Sequence, residues 1–239
     1  MRVRRIFVIS LILALLLVPI SVQAKSIRTS VQSVAGVTCN LPESNAEALV
    51  ILSNYYPNRY WWDHTDLTIA VQAHPNTSDE YLDALHGAIE TWSDVLNLCF
   101  DGLITLTDVT DSVRNPQEAD IVVHYTPHAG GAVFSGQAVC GADNCPNIMV
   151  SSEAPPSWGQ PPYDPQLLEW IALHEIGHAL GLGHATNLLE STDLMGYGWP
   201  DLGDPVLSQC DVDALAFVFA WAIEGDNPHP PAAGPYECS

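Results

Sequence analysis

Between residues 174 and 184 the chain reads His174-Glu175-Ile176-Gly177-His178-Ala179-Leu180-Gly181-Leu182-Gly183-His184, and this spacing restricts the fold more than any other feature of the 239 residues. On an α-helix, positions 174 and 178 lie one turn apart and differ by about 40° around the axis, since each residue turns about 100°. Both imidazoles then face the same way and can share one metal ion. Glu175 is turned about 100° from His174, so its carboxylate falls beside such an ion rather than on it. Gly181 is free to adopt a positive φ and turn the chain sharply, which returns His184 toward the pair. Three neutral imidazoles leave one position of a tetrahedral zinc ion open, the arrangement of a catalytic site; structural sites usually fill that position with Cys or His. Zinc supplies Lewis acidity toward water and a carbonyl, and Glu175 is placed to take a proton and pass it on. His174, His178 and His184 are thus the candidate metal ligands and Glu175 the candidate base.

The rest of the chain supplies elements around this segment. Asp164 suits a helix N-cap and Pro165 the first turn, so the metal helix is expected from there through Leu180, stopping at Gly181. Residues 78–97 read as a second helix, with Thr77 or Ser78 as cap and Tyr81, Leu82, Leu85, Ile89, Trp92, Val95 and Leu96 as one apolar stripe. Leu67–Val71, Leu103–Leu106 and Ala119–Tyr125 read as strands, and Gly131–Val139 and Asn147–Ser151 as weaker ones. Residues 154–165 and 185–206 read as irregular. Ser208 with Asp211 suggests a capping box for a last helix over 208–223. The order is a mixed α and β plan without regular βαβ alternation.

The chain opens with a basic start, Met1–Arg5, an almost wholly apolar stretch from Ile6 to Val18, and Val22-Gln23-Ala24. That is the plan of a secretory signal peptide, residues 1–24, with cleavage after Ala24 and a membrane anchor as the rival reading. Residues 25–57 are polar and mixed and read as a propeptide or loosely packed N-terminal arm, 58–225 as the catalytic domain, and 226–239 as a Pro-rich tail. Beyond residue 24 there are four basic and 28 acidic residues, a formal charge of −24. Such a field disfavours nucleic acid and anionic membrane as partners, and a monomer is expected. The six cysteines all lie beyond residue 24 and in an exported chain suggest disulfides, whose pairing the sequence leaves open. Cys140 with Cys145 across a short turn, and Cys210 with Cys238 to hold the tail, would leave Cys39 with Cys99.

The segment 174–184 resembles the extended zinc motif of the metzincins, and Met195, in Asp193-Leu194-Met195-Gly196-Tyr197, stands where that clan has a methionine turn beneath the metal. Ala88–Asp94, Ala119-Asp120-Ile121, Leu67–Val71 and Leu207-Ser208-Gln209 with Asp211 and Asp213 resemble matrix-metalloproteinase-like (matrixin-like) catalytic domains over about residues 58–223. The resemblance implies a zincin-like α+β fold: a twisted five-stranded mixed sheet, two main helices plus a C-terminal helix, and a zinc cleft between upper and lower subdomains. One edge strand, for which Gly131–Val139 is the candidate, would run antiparallel to the rest and receive an extended polypeptide substrate. The implied protein is a secreted, extracellular zinc-dependent endopeptidase with one catalytic ion. Tyr197, two residues after Met195 as in the astacin and serralysin families, becomes a candidate for oxyanion stabilisation or a packed tyrosine. The family's second zinc site is not matched: His124 and His128 stand in that region without an H-x-D motif. Calcium is a further ion to which no ligands are assigned. Ala185 replaces the family's serine, and Cys39 lacks the flanking pattern of an inhibitory propeptide cysteine, which favours a disulfide. The rival readings are a catalytically inactive zinc-binding extracellular module and a zinc amidase acting on small substrates.

Overall fold

A computed structural model of the chain describes residues 39–56, 60–127, 136–139, 147–153, 162–197 and 203–238. The expected signal peptide, His128, Cys140, Cys145 and the first part of the Gly131–Val139 segment lie outside the described residues.

Strands β2 (Asp66–Ala73), β3 (Thr105–Asp108), β4 (Ile121–Thr126), β5 (Gly136–Val139) and β6 (Asn147–Ser151) form one sheet in the order β3-β2-β4-β6-β5. The first four are mutually parallel, with Ile69 opposite Ile121 and Val123 opposite Ile148. Strand β5 closes the edge antiparallel to β6, with Gln137 opposite Met149. Parallel strands buried under helices carry near-continuous apolar runs, and Leu67, Ile69, Ile121, Val122, Val123 and Ile148 are all buried. The fold is α+β with a mixed five-stranded sheet. Strand β3 begins two residues later than expected, because Leu103 N–H bonds back to Phe100 O in the turn that closes the preceding helix.

Helix α1 (Asp79–Phe100) follows Ser78 as N-cap, although the Ser78 side chain makes no capping bond. It runs three residues past the expected end at 97, since Cys99 and Phe100 continue the buried stripe of Leu85, Ile89, Trp92 and Leu96. A left-handed Asp101 then ends it. Helix α2 (Pro165–Ala179) starts as its sequence dictates: the Asp164 carboxylate accepts from Leu167 N–H at 2.8 Å and Pro165 occupies the first turn. The two helices pack together, and Trp92 Nε1–H donates to Leu173 O of α2 at 2.9 Å. At the other end of α2 the Ala179 carbonyl, which has no acceptor role left within the helix, accepts from Trp62 Nε1–H at 3.0 Å.

The N-terminal region departs from expectation. Residues 48–51, assigned above to a propeptide or loosely packed arm, form strand β1 (Ala48–Ile51) in the core, with Leu49 and Ile51 fully buried. It is the centre of a second sheet, β7-β1-β8, flanked by β7 (Leu182–Ala185) and β8 (Tyr236–Glu237), both antiparallel to it. The physical reason is that a four-residue apolar run shows no period of its own; its burial depends on partners more than 130 residues away in sequence. The Pro-rich tail adds β8 to this sheet. Two disulfides, Cys39–Cys99 and Cys210–Cys238, tie arm and tail to helices. The last helical region begins with the expected capping box, Ser208 and Asp211, but is two pieces, α3 (Gln209–Val218) and α4 (Ala220–Glu224), broken at the buried Phe219.

Candidate metal centre

Helix α2 brings His174 and His178 to one side, and Gly181, at φ 112°, makes the turn into β7 that carries His184. One ligand atom from each of the three histidines lies within 4.8 Å of the other two, and the Nε2 atoms of His178 and His184 are 3.1 Å apart. Orientation comes from outside the trio. His174 Nδ1–H donates to Leu194 O at 2.7 Å, and His178 Nδ1–H to Leu182 O at 2.8 Å. Those bonds fix the tautomer and leave the Nε2 lone pairs facing inward, as outer partners of metal-bound histidines do. His174 Nε2 is buried without a hydrogen-bond partner, a costly state for a polar atom unless a cation uses its lone pair. Burial pushes His174 down to about 4 and lowers His178 and His184 as well, so all three imidazoles are neutral and have lone pairs to offer a metal ion. The donor set and its geometry fit zinc.

Glu175 lies beside this group. Its carboxylate is buried, accepts from the Ala138 backbone N–H of β5, and is pushed up to about 8 by desolvation. Its Oε2 has no partner, so one oxygen remains open for a proton. Tyr197 packs its ring 4.5 Å from His184 and 5.5 Å from His174, centroid to centroid. Burial and the Glu175 charge raise its phenol to about 12, which keeps it a neutral donor. Met195 is fully buried in the turn beneath; its carbonyl accepts from Ala185 N–H at 2.9 Å, and Asp193 Oδ1 accepts from Met195 N–H at 2.9 Å.

The five residues singled out in sequence, His174, Glu175, His178, His184 and Tyr197, therefore lie around one point. His124 does not join them; its Nε2 lies 2.7 Å from Asn147 Oδ1. Among the described residues, this is the sole group of three or more His, Cys, Asp or Glu side chains close enough to share a metal ion. Sequence reasoning missed Leu52, Tyr56 and Tyr60, which line the same cleft as Glu175 and His184. The tyrosines at 55, 56 and 60 are a signal for them, obscured for Leu52 and Tyr56 because residues 25–57 read as an arm outside the catalytic domain. It also missed the carbonyls of Leu182 and Leu194, which no sequence pattern marks.

The family model for matrixin matches residues 60–216. Interstitial collagenase of Bos taurus is 28% identical over 171 residues, covering 68% of this chain and 34% of that protein. Metalloendoproteinase 1 of Glycine max is 24% identical over 201 residues, covering 80% of this chain and 63% of that protein. The chain thus spans about a third of the length of the collagenase it matches. Among solved structures, archaemetzincin from Methanopyrus kandleri aligns with a TM-score of 0.43 at 17% identity, over 65% of this chain and 97% of that one. With the matrixin match running over most of the described core and through every residue of the metal centre, the chain belongs to the matrixin family.

Proposed function

We propose that the protein is a secreted zinc-dependent endopeptidase that hydrolyses peptide bonds of polypeptides, with His174, His178 and His184 holding the ion and Glu175 serving as general base. The observation that carries this reading is the convergence of three inward-facing imidazoles with a buried carboxylate whose Oε2 has no partner. A zinc ion held there supplies Lewis acidity that acidifies water and polarises a carbonyl. Glu175 takes the proton from the attacking water and delivers it to the leaving amine nitrogen. Tyr197, neutral and adjacent to His184, donates its phenol hydrogen to the developing oxyanion. Strand β5, paired with β6 on one side, offers its other edge to an extended peptide, and its Ala138 N–H already reaches Glu175. Backbone pairing of this kind holds a chain in register over the base and favours polypeptides over small amides.

A purely structural zinc site would have no use for Glu175. The test is hydrolysis of casein by the zinc-loaded protein, with and without a chelator, beside Glu175→Ala. Internal cleavage lost on chelation and in the variant, with about one zinc retained by the variant, is the expected result. Zinc binding without cleavage of casein or of a diverse peptide library would overturn it.

A further inference from the structure

The cleft over Glu175, about 240 Å³ in volume, has lining residues that the hydrolytic steps do not use: Leu52, Tyr56 and Tyr60. Leu52 and Tyr56 precede residue 60, where the matrixin match begins. Tyr56 is half exposed although it is a large ring, and it sits 5.4 Å from the ring of Tyr60. A partly exposed aromatic pair beside the candidate base is a surface from which water is readily displaced by an apolar group.

The segment from Leu52 to Tyr56 is also held in place. Leu52 begins a short 3-10 turn, Leu52–Asn54, directly after β1. Leu52 N–H donates to Gly181 O at 3.1 Å, which anchors the turn to the end of the metal helix. Tyr56 N–H donates back to Leu52 O at 3.1 Å. Asn54 Nδ2–H donates to Gly234 O at 2.6 Å, joining the turn to a tail that the Cys210–Cys238 disulfide secures. Upstream, β1 lies so close to β7 that a Cβ on Gly183 would sit 2.8 Å from Val50 O. A wall anchored by hydrogen bonds directly after a paired strand discriminates better than one on a loose loop, because little is lost in ordering it when a ligand binds.

We propose that Leu52, Tyr56 and Tyr60 form a specificity subsite that accepts an aromatic or branched aliphatic side chain of the polypeptide substrate at a fixed position relative to the scissile bond. The proposal rests on the reading of the cleft as a peptide-binding site. A peptide added to the edge of β5 presents alternate side chains to one face, so a single position meets this apolar wall. Specificity for an extracellular polypeptide would then be written partly in a segment outside the family match.

The test measures binding separately from cleavage. Zinc-loaded protein carrying Glu175→Ala is titrated with fluorescent peptides in which each position in turn is Phe, Leu, Gly or Asp. One position is expected to favour Phe or Leu over Gly or Asp by on the order of tenfold or more. Adding Tyr56→Ala or Leu52→Ala should abolish that preference alone, while Tyr56→Phe, which keeps the ring, retains it. Zinc content near one per chain, checked in every variant, verifies that the centre is intact. An apolar preference untouched by Tyr56→Ala and Leu52→Ala, no apolar preference at any position, or no peptide binding overturns the subsite. Selective binding that these variants abolish, in a protein whose unmutated form cuts none of the peptides, keeps the subsite and overturns the hydrolytic reading.

Discussion

Tyr197 packs against two of the three histidines yet is 44% exposed, so its ring is fixed while its face opens to the cleft. If its phenol stabilises the oxyanion, Tyr197→Phe should lower kcat by about 10²-fold with zinc content and KM little changed; an unaltered kcat would leave it a packing residue. A second residue-scale feature lies under the methionine turn. Asp193 Oδ2 accepts from both Ser44 and Ser208 hydroxyls at 2.7 Å, and Asp211 Oδ2 accepts from Ser208 N–H at 2.7 Å. Asp211 Oδ1 meets no donor, and desolvation together with the Asp193 charge holds the Asp211 carboxyl well above the usual carboxylate range. The pair is satisfied when Asp211 is neutral and donates its proton to Asp193. A carboxyl whose folded pKa lies above its unfolded value stabilises the fold fully below the unfolded value, and that contribution fades as pH rises toward the folded value. Asp211→Asn can make the same two contacts without titrating. Its melting temperature should therefore fall less than that of the unmutated protein as pH is raised from about 4; parallel profiles would show that Asp211 is ionised in the fold.

The elements were legible to unequal degrees. Helices α1 and α2 declare themselves through the 3.6-residue stripe and through Asp164-Pro165, because capping and periodicity are local. Strand β5 reads only weakly as a strand in sequence, its edge role came from the resemblance, and its place in the sheet rests on pairing with β6. Strand β1 was hidden, since Ala48–Ile51 has the composition of many short apolar runs. Its register is set instead by Leu49 against Ala185 and Ile51 against Leu182 on the strand that carries His184. The closeness of β1 to β7 makes Gly183→Ala a direct test. A methyl group there meets Val50 backbone and side chain, so stability should drop by about 1–3 kcal/mol. Zinc affinity should fall with it, because His184 rides on the displaced strand; unchanged stability and zinc binding would show that β1 yields without moving β7.

At the scale of the whole molecule, arm and tail join one sheet with the strand that carries His184. Cys39–Cys99 joins the arm to α1, Cys210–Cys238 joins the tail to α3, and β1 lies between β7 and β8. A propeptide read from polarity alone would be expected to come away and leave an active enzyme. The structure predicts the opposite for residues 39–55: a chain beginning at residue 56 loses the centre of the second sheet and two fully buried core side chains, Leu49 and Ile51. Removal of two such side chains costs about 2–5 kcal/mol each by comparison with core truncations, a large part of the stability of a typical domain. That truncated protein should show no cooperative thermal transition and no stoichiometric zinc; a folded, zinc-binding product would assign the arm to a removable segment.

What short-range geometry controls was legible in the residues alone. One helical turn places His174 with His178, Gly181 permits the return to His184, and Ser208 with Asp211 starts the last helix. Each follows from residues within about four positions of one another. The tertiary structure alone decided what depends on distant partners: that β1 belongs to the core, that Leu52, Tyr56 and Tyr60 face the cleft, and that Asp193 and Asp211 share a buried site with Ser44. Pairing between strands more than a hundred residues apart leaves no period in either segment, because its register comes from the burial available when the two meet.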